Sequence, residues 1–128
     1  MDLPKDLFYT ENHEWLALDG DEATIGITEY AQDEMGDVVF VELPEVGEGF
    51  EQFDSFGVVE SVKAVSDIYI PTGGKVLAIN EDLFEQPELI NEEPYDGGWL
   101  IKIKITDKDE LESLMNHDEY DRFMEEAD

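Results

Sequence analysis

Ile101, Ile103 and Ile105 alternate with Lys102 and Lys104, the period of a strand with one face in a core and the other in water. The run Trp99–Ile105 therefore predicts a late strand. Earlier in the chain, Glu14–Leu18 and Ala23–Ile27 flank Asp19-Gly20-Asp21, which reads as a hairpin with a tight turn. Thr28 suits an N-cap and Gly36 a C-terminal stop for a short helix reaching Met35. Asp37–Leu43 reads as a buried strand closed by Pro44, and Gly47 and Gly49 mark a turn after it. Lys75–Ile79 is a further strand, whereas Glu81–Glu93, acidic and interrupted by Pro87, predicts loop with a helical turn. After Thr106 the period changes. Leu111, Leu114 and Met115 share one helical face and Tyr120, Phe123 and Met124 another, with Asn116 as a break between them.

Between these elements, Val58–Ile70 is too long for an ordinary strand and should fold back on itself. The turn that fits best carries Lys63 at its tip, within a hairpin over about 57–71. From Ser55 to Ser66 only Glu60 and Lys63 are ionisable. On the residues alone Lys63 has two readings, a solvated turn residue or an exposed amine offered for modification on a rigid support. Short strands dominate, so residues 1–128 read as one mainly β domain, a small sandwich or barrel-like fold. A helix interrupts the first half, and a helical segment occupies about 107–126.

Charge narrows the function. The chain carries 35 Asp and Glu against seven Lys and Arg, a formal net charge of −28. Such a surface repels nucleic acid and anionic lipid, which require clustered cations. Proteins or small molecules are the expected partners, and self-repulsion favours a monomer. No cysteine is present, so disulfides, thiolate metal sites and cysteine nucleophiles are excluded. Met1–Asp6 resembles neither a signal nor a transit peptide, and no segment approaches a membrane span, so the chain reads as cytoplasmic. His13 and His117 are far apart, and no metal-ligand spacing, phosphate loop or nucleophile elbow appears. His13 reads as a surface or half-buried strand residue. An autonomous enzyme is not expected.

Glu60-Ser-Val-Lys-Ala-Val-Ser-Asp67 resembles the lipoylation segment of the glycine cleavage system H proteins. Tyr9–Trp15, Ile25–Gln32, Gly36–Gly47, Pro87–Asn91 and Pro94–Ile101 fit that family in order, so the likeness spans nearly the whole chain. The resemblance implies a barrel-sandwich hybrid of two small antiparallel sheets with the lipoyl lysine at a hairpin tip. It also implies a non-catalytic carrier with lipoate joined by an amide to Lys63. The arm would accept an aminomethyl group from glycine at the pyridoxal-phosphate-dependent P protein (glycine decarboxylase), with release of carbon dioxide. It would yield the one-carbon unit to tetrahydrofolate at the T protein (aminomethyltransferase), freeing ammonia. The flavoprotein L protein (dihydrolipoyl dehydrogenase) would then reoxidise it.

By the same resemblance, Glu14 and Asp67 line a cleft that shields the loaded arm, and Glu60 and Gly47 are recognised by the lipoylating enzyme. Gly47 reads equally as a turn former. Two positions depart from the family pattern: Glu34 replaces a frequent histidine near the cleft, and Phe53 a glycine in the turn before the lipoyl hairpin. The alternative role is a lipoyl relay that donates lipoate to 2-oxoacid dehydrogenase carriers. A biotin carrier is disfavoured because Val62-Lys63-Ala64 lacks flanking methionines, and a hydrolase using acidic pairs is weaker still. A processed mature chain would place the protein in the mitochondrial matrix instead.

Overall fold

The computed structural model describes residues 4–127; the first three residues of the Met1–Asp6 stretch lie outside them. Among the described residues, nine strands form two unequal antiparallel sheets, and neither closes on itself. The larger contains β1 (Phe8–Tyr9), β2 (Glu14–Asp19), β3 (Glu22–Ile27), β9 (Ile101–Ile105), β8 (Gly74–Ile79) and β5 (Gly49–Phe50), in that spatial order. The smaller is β4 (Val38–Glu42), β6 (Ser55–Ser61) and β7 (Val65–Tyr69). Leu16, Ile25, Ile101 and Ile103 of the first sheet share one core with Val41, Val59 and Ile68 of the second. This is the two-sheet architecture that the resemblance implied, with six strands against three.

Local sequence explains most boundaries. In β9 the three isoleucines are buried and Lys102 and Lys104 exposed, so alternation alone sets the register. Thr28 caps helix α1 (Glu29–Met35) by accepting from Ala31 N, and Gly36 ends it at φ 81° with its N–H on Gln32 O. The acidic stretch forms two single turns, α2 (Asp82–Glu85) and α3 (Leu89–Glu92). The C-terminal segment is helical on both sides of a break, but the break begins before Asn116. Leu114 is extended and Met115 bridges Tyr9 in antiparallel fashion, so these two do not share a helical face with Leu111. A 3-10 helix covers Lys108–Ser113 and α4 covers His117–Ala127. Asn116 and Glu119 cap α4 reciprocally, each side chain accepting from the other's backbone N–H at 2.9 Å.

Two further expectations need correction. Asp37–Leu43 is not a buried strand throughout, because Val39 and Phe40 are about half exposed. An irregularity between Val38 and Phe40 shifts the register, so Val38 and Val41, three residues apart, both reach the core. His13 is not a strand residue either. It sits at φ 67° in the turn before β2, half-buried. Its ring nitrogen Nδ1 shares a 2.7 Å hydrogen bond with the buried Tyr120 hydroxyl from α4.

Candidate functional site

The hairpin of β6 and β7 presents Val62-Lys63-Ala64 at its tip, all three exposed. Ser61 holds this turn. Its Oγ accepts from Lys63 N at 3.3 Å and from Ala64 N at 3.2 Å, while its own N–H donates to Ala64 O at 2.8 Å. Val62 N donates to Asp37 O at 3.0 Å, so the tip is tied to the segment that follows α1. The lysine stem then runs across Gly36. A Cβ at Gly36 would lie 3.3 Å from Lys63 Cε, so the missing side chain leaves the track that the stem follows.

Beside this track opens a cleft of about 280 Å³ between α1 and β7. Its walls include Tyr30, Glu34 and Met35 from α1, Asp67 and Tyr69 from β7, and His13. Its surface is mainly apolar, with carboxylates on both sides. Burial holds the His13 imidazole below its ordinary pKa, and the nearby Glu34 carboxylate opposes that shift. The His13 ring lies 4.6 Å from that of Tyr30. A second depression, of about 350 Å³, is lined by Tyr9, Thr10, Phe53 and Leu114 and holds none of the expected site residues.

Asp67 stands in the cleft wall. Glu14 lies beneath it, only 1% exposed. One carboxylate oxygen accepts from Thr10 Oγ1 at 2.5 Å and the other from Tyr69 N at 3.2 Å. Burial pushes the Glu14 carboxyl up to about 7, against those two hydrogen bonds. Glu14 therefore ties β2 to the last residue of β7 and reaches the cleft through Tyr69. Glu60, half-buried on β6, pairs across the sheet with Phe40 and Val65. Gly47 is not brought to this group. It turns the chain before β5 at φ 97°, its N–H on Val76 O of β8, and that backbone angle accounts for the glycine.

Glu34, which departs from the family's frequent histidine, lines the cleft. Tyr30 and Glu34 are four residues apart on a helix, a spacing that puts both on one face. Asn91 was not singled out as a site residue at all. Its Oδ1 accepts from Val38 N at 2.9 Å, and its Nδ2 donates to Gly36 O and Gln32 Oε1 at 2.9 Å each. It thereby fixes the platform under the lysine stem from α3.

With this geometry in view, likeness to known proteins becomes informative. The family model described as "Glycine cleavage H-protein" matches residues 7–127. The chain belongs to the glycine cleavage H-protein family. It is 59% identical over 128 residues to the glycine cleavage system H protein of Halothermothrix orenii, with both chains fully covered. Identity is 55% over 124 residues to the mitochondrial H protein 2 of Arabidopsis thaliana, covering 97% of this chain and 80% of that one. The crystal structure of the H protein from Mycobacterium marinum superposes with a TM-score of 0.85 at 36% identity, covering 94% of this chain and 98% of that one. The protein is thus a lipoyl carrier of glycine cleavage and not a catalyst, in a lipoate-bearing family that works with the other components of that system. Onward donation of lipoate is not favoured. No described helix is long and apolar enough to cross a membrane.

Proposed function

We propose that Lys63 is the lipoyl attachment site and that the cleft between α1 and β7 receives the loaded arm. The observation that supports this is the lysine stem laid over Gly36, the residue next to Met35 in the wall of a cleft that also holds Glu34 and Asp67. The residues fit the group: an exposed amine on a braced turn, a track without a side chain beneath it, and an adjoining hollow with apolar walls. Amide-linked lipoate would supply a disulfide whose sulfur accepts the aminomethyl carbon as the glycine carboxylate leaves as carbon dioxide, the second sulfur becoming a thiol.

The protein supplies placement and shelter. Asp67 pairs with the protonated amine of the cargo through a charge-assisted hydrogen bond, and the apolar walls keep out hydrolytic water. Glu14, under the cleft, ionises as a cation settles above it, because a nearby positive charge offsets the cost of its burial. Glu60, beside Lys63 on the hairpin, contributes to recognition by the lipoylating enzyme, and Gly47 shapes a turn. The partners are the P, T and L proteins. The carrier works as a monomer in the cytoplasm, or in the mitochondrial matrix as a processed chain.

Intact mass after incubation with a lipoylating enzyme, lipoate and ATP tests this reading. One lipoyl group should be gained, and Lys63→Ala should gain none. Mass added to Lys63→Ala at another lysine would overturn the assignment. The lipoylated protein should then support glycine-dependent NAD reduction with P, T and L proteins.

A further inference from the structure

Beside Lys63, the outer face of the smaller sheet is a checkerboard. Phe40, Glu60 and Val65 form one cross-strand row, and Glu42, Val58 and Asp67 form the next. Cross-strand partners share a face, while Val41, Val59 and Ser66 pair in the intervening row that turns toward the core. Phe40 is 50% exposed and Val65 68%, and Val62 at the tip is 68% exposed. The row from Phe40 to Val65 crosses three strands, so it is roughly 10 Å wide. Lys63 is the only cation within β4 or the hairpin. Exposed Phe and Val side chains contribute little to a core they do not reach, and an apolar patch rimmed by one sign of charge is suited to a partner of the other sign.

We propose that this checkerboard is the docking surface for the enzyme that acylates Lys63, a protein with an apolar depression rimmed by Lys and Arg. The proposal rests on Lys63 as the attachment site. Before attachment there is no arm to extend the reach of the amine. The attaching enzyme must bring an activated lipoyl carbonyl, such as an acyl adenylate, to bonding distance of Nζ itself. There the neutral amine attacks the carbonyl carbon, the new C–N bond forms, the C–O bond to phosphate breaks and AMP leaves. The original ammonium gives up two protons, one before attack and one as the adduct collapses. An enzyme so placed covers the hairpin tip and meets Phe40 and Val65. Partners that act later meet the far end of the arm and have no need of this face. The net charge of −28 gives the basic rim its counterpart.

The test uses the full chain with Phe40→Ser and Val65→Ser together. Lipoylation by a purified lipoate–protein ligase is followed by intact mass over time. The expected loss in kcat/KM is about tenfold, chiefly through KM, as for removal of a central contact anchor. Phe40→Leu, which keeps an apolar anchor, should retain most of the rate. Leu77→Thr, an equally strand-bound change on β8, should leave it unchanged. Once lipoylated to completion, the double variant should support glycine-dependent NAD reduction as the unaltered protein does. Should the double variant fail to fold, the isosteric Val65→Thr carries the test, with about a threefold loss expected, since one of the anchors remains. An unchanged lipoylation rate overturns the proposal, and so does an equal loss in both assays. If the unaltered protein gains no lipoyl group at Lys63, the attachment reading fails, and the docking proposal with it.

Discussion

Lys63 Cε lies 3.3 Å from where a Cβ of Gly36 would stand, so the residue that ends α1 also clears the path of the carrier lysine. One glycine serves two needs, a left-handed φ of 81° and an open track. Gly36→Ala meets both at once. With ψ at −161° this is backbone that essentially only glycine adopts, costing an alanine on the order of 1–3 kcal/mol, and the lysine stem must move aside. Urea unfolding should show that loss of stability, and lipoylation should slow as the lysine stem is displaced from its track.

Glu14 makes stability depend on pH. Its carboxyl, ordinarily near 4.5, is pushed up to about 7 by burial. Between those values the folded state binds more protons than the unfolded one, so this group destabilises the protein progressively as pH rises through the window. Glu14→Gln keeps the shape of the side chain and removes the titrating group. The variant should match the parent near pH 4.5 and exceed it by on the order of 3 kcal/mol at pH 8. Urea midpoints across that range measure the difference. A constant offset at all pH values would show that Glu14 is not the titrating group.

Phe53 occupies φ 67° in the turn before β6, with its N–H on Ile70 O at 2.7 Å and its side chain 48% exposed. A β-carbon is strained there, and a half-exposed ring recovers only part of the cost. Phe53→Gly should stabilise the protein by about 1 kcal/mol, raising Tm by roughly 3–5 °C. Lipoylation should be unchanged, because this turn lies away from the hairpin tip. A fall in Tm would show that the ring's contacts with the neighbouring depression outweigh the strain.

Asn91 satisfies three partners from one side chain, including the carbonyl of Gly36. Asn91→Leu leaves Val38 N and Gly36 O without partners near the core, a loss of about 2–4 kcal/mol. Amide hydrogen exchange at Val38 should accelerate more than global unfolding requires. Lipoylation should also slow, since the platform under Lys63 loosens.

The sequence by itself determined the elements whose signals are local. Alternation placed β9, Thr28 and Gly36 bounded α1, and the break near Asn116 separated the two C-terminal helices. The isolation of Lys63 among apolar neighbours located the hairpin tip, observed between strands 55–61 and 65–69 where about 57–71 was expected. Resemblance then supplied the family. Tertiary structure decided what depends on contacts far along the chain. His13 looked like a strand residue because nothing nearby reveals that Tyr120, 107 positions later, bonds to its ring. Glu14 looked like a cleft residue, and only packing against Tyr69 and Thr10 buried it under the cleft. Val39 and Phe40 looked buried because hydrophobicity carries no record of a register shift. Local backbone preference is written in adjacent residues. Burial, register and shared hydrogen bonds arise only when distant strands meet, and those decide which carboxylates line the cleft and which lie under it.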